Sequence, residues 1–210
     1  MVDETRSGYD AVARAYADRF SVEFEDKPFD RDVLDEFAAH VEGRGMVVDL
    51  GCGPGQVAAY LAAEGVPVLG VDLSPGMVAE AKQRHPNLNF QVGDMRDLAF
   101  DDETLAGIAA FYSIIHIPRD EILAVLAELW RMLHPGGFLL LAFHVGTRVE
   151  QIDEFLGEPV NLDFVFFTAN EMEGHLEAVG FELIWSRQRQ PYPGVEAQTE
   201  RTYLLSRRPT

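Results

Sequence analysis

Apolar residues recur along the chain in two alternating patterns. Short apolar runs rich in Val, Ile, Leu and Phe predict buried strands, and apolar residues three or four positions apart predict amphipathic helices between them. This alternation is typical of a mainly parallel sheet with helices on both faces. The predicted strands cover residues 46–50, 66–71, 88–92, 105–111 and 138–144.

Two predicted helices precede the first strand. Residues 9–20 and 29–41 carry apolar residues at helical spacing, and we expect them to form a cap ahead of the sheet. Within the core, Ser74 and Pro75 predict a helix start, because an N-cap residue is followed by proline at the first helical position. The His-Pro-Gly-Gly run at 134–137 is predicted to stop the helix after the fourth strand.

The chain after residue 167 predicts one helix and two strands. Thr168 and Glu171 stand in a capping-box pattern that begins the helix, and Gly180 ends it. Residues 181–190 and 199–206 alternate apolar with polar positions and are joined by a turn rich in Pro and Gly, so they predict antiparallel neighbours. We therefore expect an α/β, Rossmann-like, doubly wound sheet of seven mostly parallel strands with a C-terminal antiparallel hairpin.

Residues 145–167 are too long for an ordinary connection between a strand and a helix. The segment is rich in Phe and in acidic residues. Two interpretations stay open: a packed excursion of the chain, or a lid over the functional face of the sheet.

The chain is strongly acidic, with 17 Lys and Arg against 35 Asp and Glu and a formal charge of −18. Such a chain repels polyanions, so we expect neither a nucleic-acid nor a membrane partner. The stretch 186–210 differs, because it holds five Arg and two Glu. We interpret it as a solvated strand face; the alternative is a site for an acidic substrate group at Arg187, Arg189 or Arg201.

Cys52 is the single cysteine, which excludes an intramolecular disulfide and fits a reducing, cytoplasmic location. Residues 1–6 lack the pattern of a signal peptide. The longest apolar run, 138–143, is far shorter than the roughly 20 residues of a membrane-spanning helix. We expect a soluble protein, monomeric or homodimeric.

Candidate chemistry follows the predicted strands, since ligands of open α/β sheets bind beyond the carboxyl ends of the strands. After strand one, Gly51, Gly53 and Gly55 permit unusual backbone angles and let a ligand approach bare backbone. The dinucleotide fingerprint G-x-G-x-x-G would place its third glycine one position later. A ligand that carries a pyrophosphate is therefore the poorer fit.

Carboxylates follow the next two strands. Asp72 ends strand two, where a carboxylate can accept both hydroxyl hydrogens of a ribose. Asp94 follows strand three, where it can accept a hydrogen bond from an adenine amino group. Ordinary loop chemistry also explains each residue taken alone.

In combination, these motifs resemble one family. The runs 47–55 (VVDLGCGPG), 71–74 (VDLS), 93–95 (GDM) and 133–137 (LHPGG) occur in order. They resemble the class I S-adenosylmethionine-dependent methyltransferases of the small-molecule type, with a type 11/25-like domain. The resemblance covers residues 9–144 well and the last hairpin by topology.

The resemblance implies S-adenosyl-L-methionine as the cofactor and assigns roles to the glycine loop. Gly51, Gly53 and Gly55 would pass beneath its methionine and ribose portions, and Asp49 would support the loop and reach the amino group. Asp72 would hold the ribose hydroxyls. A sulfonium cofactor without phosphate needs acceptors and aromatic faces, which suits an acidic loop region.

Further roles follow from the same resemblance. Leu73 would pack on adenine, and Asp94 with the backbone of Met95 would bind the adenine edge. Phe111 would lie near the methionyl amine and the methyl group. A Tyr-x6-Tyr pair that closes over the cofactor carboxylate in many relatives corresponds to Tyr9 and Tyr16.

Methyl transfer to a hydroxyl also needs a positioned base. His116, beyond strand four, is the first candidate, with a structural or stacking role as its alternative. His144, at the end of strand five, is the second candidate. Neither histidine has a metal partner at ligand spacing, so we expect no metal site.

The sequence thus predicts a single domain over residues 1–210. It divides into cap helices (1–45), a cofactor-binding core (46–144), the candidate lid (145–167), and the last helix with the C-terminal hairpin (168–210). The expected reaction is methyl transfer to an oxygen or nitrogen of a small metabolite. The alternatives are an NAD(P)-dependent oxidoreductase and a non-catalytic S-adenosylmethionine-binding protein.

Overall fold

The computed structural model describes residues 2–20 and 22–210. The helices are α1 (Val2–Phe20), α2 (Pro28–Val41), α3 (Gln56–Ala63), α4 (Pro75–Arg84), α5 (Ile122–Met132) and α6 (Ala169–Val179). The strands are β1 (Val47–Leu50), β2 (Val68–Asp72), β3 (Asn89–Val92), β4 (Leu105–Phe111), β5 (Leu133–His144), β6 (Val149–Phe155), β7 (Glu158–Val165), β8 (Glu182–Arg189) and β9 (Arg201–Arg207). Short 3-10 turns cover Glu23–Asp26 and Ile114–His116.

Seven strands form one sheet in the order β3-β2-β1-β4-β5-β9-β8. The first five strands are parallel, and β9 pairs antiparallel with both β5 and β8. The predicted fold class is thereby confirmed. Because the strand order reverses between β1 and β4, the loops after these two strands open a crevice at their carboxyl ends.

The sheet has an apolar core on each face, because successive strand residues point to opposite sides. Ile108 and Leu139 pack with α5 and α6 on one face, whereas Ala109 and Leu140 pack with α2 and α3 on the other. All four side chains are fully buried. This two-sided burial explains why the central strands are continuous apolar runs in the sequence.

The predicted helix caps are present. Ser74 Oγ accepts a hydrogen bond from the backbone N–H of Met77 at 3.0 Å, and Thr168 Oγ1 accepts one from Glu171 at 3.2 Å. Gly180 ends α6 in the left-handed conformation, with φ of 108°. Each cap satisfies backbone groups that a helix end leaves unpaired.

The largest differences from the predicted boundaries are at the start of α1 and where α5 meets β5. Helix α1 begins at Val2 rather than at residue 9, and its added turns carry few apolar residues but place Asp3 and Glu4 at the favourable N-terminal end. Helix α5 ends at Met132, and β5 begins at Leu133, which pairs with Leu105 before a bulge. The chain between residues 134 and 137 therefore belongs to the strand.

Residues 145–167 form an antiparallel hairpin of β6 and β7. Most of β6 is exposed or half-buried, so the segment lacks the apolar alternation by which a strand is predicted. The hairpin packs against α1, where a Cβ on Gly8 would lie 2.8 Å from Leu162 Cδ2. We call α1 and this hairpin the roof, since both lie across the carboxyl ends of the central strands.

Helix α1 is also tied to α4. Asp10 Oδ1 accepts hydrogen bonds from Ser74 Oγ at 2.5 Å and from the Gly76 backbone at 2.8 Å. Among the described residues, no helix is both long enough and apolar enough to cross a bilayer.

Candidate functional site

The loop after β1 is shaped by its glycines. Gly51, Gly53 and Gly55 have φ of 74°, 52° and 90°, a region that residues with a side chain rarely adopt. A Cβ on Gly51 would lie 2.2 Å from Ser113 Cβ, whereas one on Gly53 would point toward Tyr16 at 3.9 Å. Gly55 packs against Phe90 behind the loop, so its contribution is to the turn and to packing.

A cavity of about 390 Å³ lies between this loop and the roof. Its volume falls within the usual range of small-molecule sites. Of the predicted site residues, those that line the cavity are Tyr9, Tyr16, Asp49, Gly51, Gly53, Asp72, Leu73, Asp94, Met95, Phe111, His116 and His144. The structure therefore brings together residues that the sequence distributes over the carboxyl ends of five strands and over α1.

Two carboxylates are oriented by backbone amides. Asp49 accepts a hydrogen bond from Ala58 N at 2.9 Å, while Asp72 accepts from Gly53 N and Ser74 N, both at 2.8 Å. Burial raises the pKa of Asp49 to about 7 and that of Asp72 to about 6. Each carboxylate oxygen has a further lone pair for a ligand.

Asp94 is engaged by Arg96, a partner that the sequence analysis missed. Arg96 donates from Nε to Asp94 Oδ1 at 2.9 Å and from Nη2 to Oδ2 at 2.6 Å. Burial alone would raise the pKa of Asp94, but the hydrogen bonds and the charge of Arg96, with the charge of Arg6, together lower the pKa below its ordinary value. The Asp-x-Arg spacing was the available signal for this pair.

His116 has both ring nitrogens in hydrogen bonds. Nδ1 lies 2.9 Å from the Asp163 carbonyl oxygen, and Nε2 lies 2.7 Å from the Tyr9 hydroxyl. A carbonyl only accepts, so Nδ1 carries the hydrogen and Nε2 accepts from Tyr9. Burial lowers the pKa of His116 to about 4, so the ring is neutral at pH 7.

His144 is held by stacking and by one hydrogen bond. Its ring lies between those of Tyr112 and Phe166, with centroid distances of 5.3 and 5.5 Å. Its Nδ1 is 2.8 Å from Thr199 Oγ1. Burial and then the charge of Arg201 lower the pKa of His144 to about 3. Hydrogen bonds among the described residues leave its Nε2 uncommitted.

A buried ion cluster forms the far end of the cavity. Glu196 pairs with Arg189, with Arg201 at 3.1 Å, and with Lys27 at 3.6 Å. Arg189 and Arg201 have side-chain exposures of only 8% and 4%. The interpretation of residues 186–210 as a solvated strand face is therefore wrong for these two arginines. Arg201 lies on β9, inside the sheet between β5 and β8, and Arg189, although on the edge strand β8, is buried in its pairs with Asp30 and Glu196.

The cluster continues into a network around Asp30. This carboxylate is fully buried and accepts from Arg189 Nη2 at 2.6 Å and from the Tyr203 hydroxyl at 2.9 Å. The hydroxyls of Tyr203 and Tyr112 are 2.6 Å apart. Sequence reasoning missed the network, since Asp30 and Arg189 are 159 residues apart and no local motif joins them.

Residues 47–137 match the protein family described as methyltransferase domain. This part of the chain is similar to a methyltransferase domain. The family resemblance drawn from the glycine loop and the acidic loops is thereby confirmed. The match covers β1 to the start of β5, and it includes the glycine loop, Asp72 and Asp94.

Demethylmenaquinone methyltransferase of Beutenbergia cavernae is 36% identical to this chain over 137 residues. The match covers 64% of this chain and 55% of that relative, so the chain spans about half the length of the curated protein. The similarity therefore covers only part of the relative and does not extend over its whole length.

Two solved structures share the fold over almost the whole chain. The first is Burkholderia thailandensis 1,6-didemethyltoxoflavin-N1-methyltransferase with bound 1,6-didemethyltoxoflavin and S-adenosylhomocysteine, with 20% identity, a TM-score of 0.76, and coverage of 99% of this chain and 88% of that one. The second is a DhpI complex with SAH, with 22% identity, a TM-score of 0.76, and coverage of 99% and 97%. At these identities the likeness shows the fold alone.

The ion cluster generates a stability prediction. In an Arg189→Met variant the buried carboxylate of Asp30 loses its cation, so the free energy of unfolding should fall by about 3–5 kcal/mol. Urea denaturation measures the change. Arg187→Met in the same strand is the control, because Arg187 pairs with Glu36 at the surface and its loss should cost about 1 kcal/mol or less. Equal losses in the two variants would contradict the assignment.

Proposed function

We propose that this protein is an S-adenosylmethionine-dependent methyltransferase that acts on an oxygen or nitrogen of a small metabolite. The charge of the cavity carries the proposal. Among the residues that the structure describes, the cavity lining includes six carboxylates (Glu23, Asp49, Asp72, Asp94, Glu150 and Glu196) and three cations (Lys27, Arg96 and Arg201). Each cation is paired with a carboxylate, which favours a cationic ligand without phosphate.

The residues present fit such a cofactor. Asp72 offers two fixed carboxylate oxygens for ribose hydroxyls, and Leu73 and Met95 offer apolar contact for adenine. Gly53 and Tyr16 lie together where the methionine portion would rest. When bound, S-adenosylmethionine supplies a methyl group on a positively charged sulfur, already activated for displacement.

Two alternatives are less well supported. An NAD(P)-dependent oxidoreductase must bind a pyrophosphate, yet the third loop glycine stands one position early and the cavity cations are paired with carboxylates. A non-catalytic binding protein would not need an uncommitted ring nitrogen such as His144 Nε2 beside the cofactor loops. NADH titration and an activity assay distinguish both alternatives from the proposal.

The protein's contribution to catalysis is alignment and exclusion of water. The acceptor lies against Phe111 at the end of β4, and the roof separates the reacting groups from solvent. His144 Nε2 accepts a hydrogen bond from the acceptor, while Thr199 fixes the orientation of the ring. His116 has both nitrogens engaged, so we assign the acceptor contact to His144.

The lining also limits the acceptor. Phe111, Tyr112, Phe164 and Phe166 present aromatic surface, which fits a small and partly apolar molecule. Because burial makes His144 a weak base, it suits a nucleophile that needs little help in losing a proton. A nitrogen with a free lone pair or an already acidic hydroxyl meets that requirement.

Calorimetry with S-adenosylhomocysteine tests the cofactor assignment. Asp72→Ala should weaken binding about 10-fold to 100-fold, because hydrogen bonds to a charged group contribute about 1.5–3 kcal/mol. Asp101→Ala, at an exposed position outside the cavity, should bind like the wild type. The proposal fails if the wild type does not bind, or if Asp72→Ala binds equally well.

Cofactor binding should also depend on pH. The pKa of Asp72 in the free protein is raised to about 6, and the ionised form is the better acceptor, so affinity for S-adenosylhomocysteine rises with pH through this value. We expect about 10-fold weaker binding at pH 5 than at pH 8. An Asp49→Asn variant removes the second titrating group. A flat profile in this variant would contradict the role of Asp72.

His144→Phe tests the acceptor contact, since phenylalanine keeps the stacking between Tyr112 and Phe166 but removes both ring nitrogens. Turnover should fall about 10-fold to 100-fold while S-adenosylhomocysteine affinity stays within about twofold. Release of S-adenosylhomocysteine across a panel of phenols, carboxylic acids and heteroaromatic amines measures turnover. An unchanged rate in the variant would remove His144 from the reaction.

A further inference from the structure

The roof consists of two parts that are distant in sequence. Helix α1 contributes Tyr9 and Tyr16 to the cavity, and the β6–β7 hairpin contributes Ile152, Phe155 and Phe164. Each part also has its own contacts with the rest of the protein. A ligand that leaves the cavity on this side must pass between the two parts or displace one of them.

These contacts are made by different residues in the two parts. Asp10 ties α1 to the N-terminus of α4. Arg119 ties the base of the hairpin to the body, because its Nη2 donates to the Phe166 carbonyl oxygen at 2.5 Å and its Nη1 pairs with Glu171. Asn161 Nδ2 also donates to Glu4 Oε1 at 2.7 Å, directly between α1 and the hairpin.

His116 contacts both parts of the roof at once. Its Nδ1 donates to the Asp163 carbonyl oxygen in β7, and its Nε2 accepts from the Tyr9 hydroxyl in α1. Its ring packs edge-on against Phe164 and Tyr9, with centroid distances of 4.9 and 5.1 Å. Among the hydrogen bonds of residues 2–20 and 22–210, His116 is the one side chain of the body that joins both parts.

The element that carries His116 is itself fixed. His116 ends the short turn after β4, and Ser113 at the start of this turn donates from Oγ to the Leu50 carbonyl oxygen at 2.6 Å. Ile114 and Ile115 in the same turn are buried. The histidine therefore projects from the rigid floor of the cavity toward the roof.

A neutral imidazole is the group that this position requires. One nitrogen must donate to a carbonyl while the other accepts from a hydroxyl, and a protonated ring would have two donors and no acceptor. Burial keeps the ring in the neutral form at pH 7, with a pKa of about 4. Both hydrogen bonds are thus satisfied together.

We propose that His116, with Tyr9 and Asp163, is a clasp that holds the two parts of the roof closed over the cavity, and that exchange of the bound ligand requires its two hydrogen bonds to break. The inference rests on the proposed function in one respect, that S-adenosylhomocysteine is a ligand of the cavity. His116 is accordingly a positioning residue, and it acts through the roof rather than on the acceptor.

Three variants separate the two hydrogen bonds. In His116→Asn the amide nitrogen can take the place of Nδ1, so the hairpin bond is kept and the α1 bond is lost. In His116→Gln the longer side chain can reach the Tyr9 hydroxyl, so the α1 bond is kept and the hairpin bond is lost. Tyr9→Phe removes the α1 bond from its other end. His134→Asn is the control, because this half-buried histidine lies at the start of β5, at the end away from His144 and outside the cavity lining.

Amide hydrogen exchange of the full-length protein tests the clasp in the absence of any ligand. His116→Asn and Tyr9→Phe should raise the exchange of α1 amides about fivefold, and His116→Gln should do the same for residues 149–165, as the loss of about 1 kcal/mol predicts. Amides of β1 and β4 should stay as protected as in the wild type. Increased exchange throughout the sheet would show a role in global stability and overturn the clasp.

Surface plasmon resonance with S-adenosylhomocysteine measures the consequence for exchange of the ligand. All three variants should dissociate about fivefold faster than the wild type, and His134→Asn should not. Unchanged dissociation together with unchanged exchange in the roof overturns the proposal. If S-adenosylhomocysteine does not bind the wild type, the proposed function fails, and the hydrogen-exchange experiment alone decides the clasp.

Discussion

The site depends on two buried carboxylates that backbone amides hold in place. Asp49 and Asp72 accept from the N–H groups of Ala58, Gly53 and Ser74, so the glycine loop and the carboxylates fix one another. Burial disfavours their charged forms and raises both pKa values. A cationic ligand relieves that penalty because it interacts with the charged forms directly. The same arrangement would repel a phosphate.

At the far end of the cavity, the buried charges are cations paired with carboxylates. There the cations Lys27, Arg189 and Arg201 share Glu196, and Asp30 completes the set from α2. Complete pairing makes this end rigid, because removal of any member leaves an uncompensated buried charge. Paired charges therefore line this end of the cavity, whereas the roof is the part that the proposed clasp would hold closed.

The two histidines of the cavity have separate environments although both are neutral at pH 7. His116 is saturated by hydrogen bonds to the two parts of the roof, and His144 keeps one ring nitrogen uncommitted beside Phe166. Contact with the acceptor and closure of the cavity are therefore assigned to different residues. Their low pKa values have the same main cause, which is burial.

The sequence by itself determined the sheet, the helix caps and the glycine loop, because strand and helix periodicity and capping hydrogen bonds depend on residues close together in the chain. Most loop residues predicted to contact the cofactor line one cavity, because the carboxyl ends of adjacent parallel strands meet at the same edge of the sheet. Only the tertiary structure decided the pairing of Tyr9 with His116, 107 residues apart, and the burial of Arg189 against Asp30. Such partners are set by strand order and by how the roof docks, which no local pattern encodes.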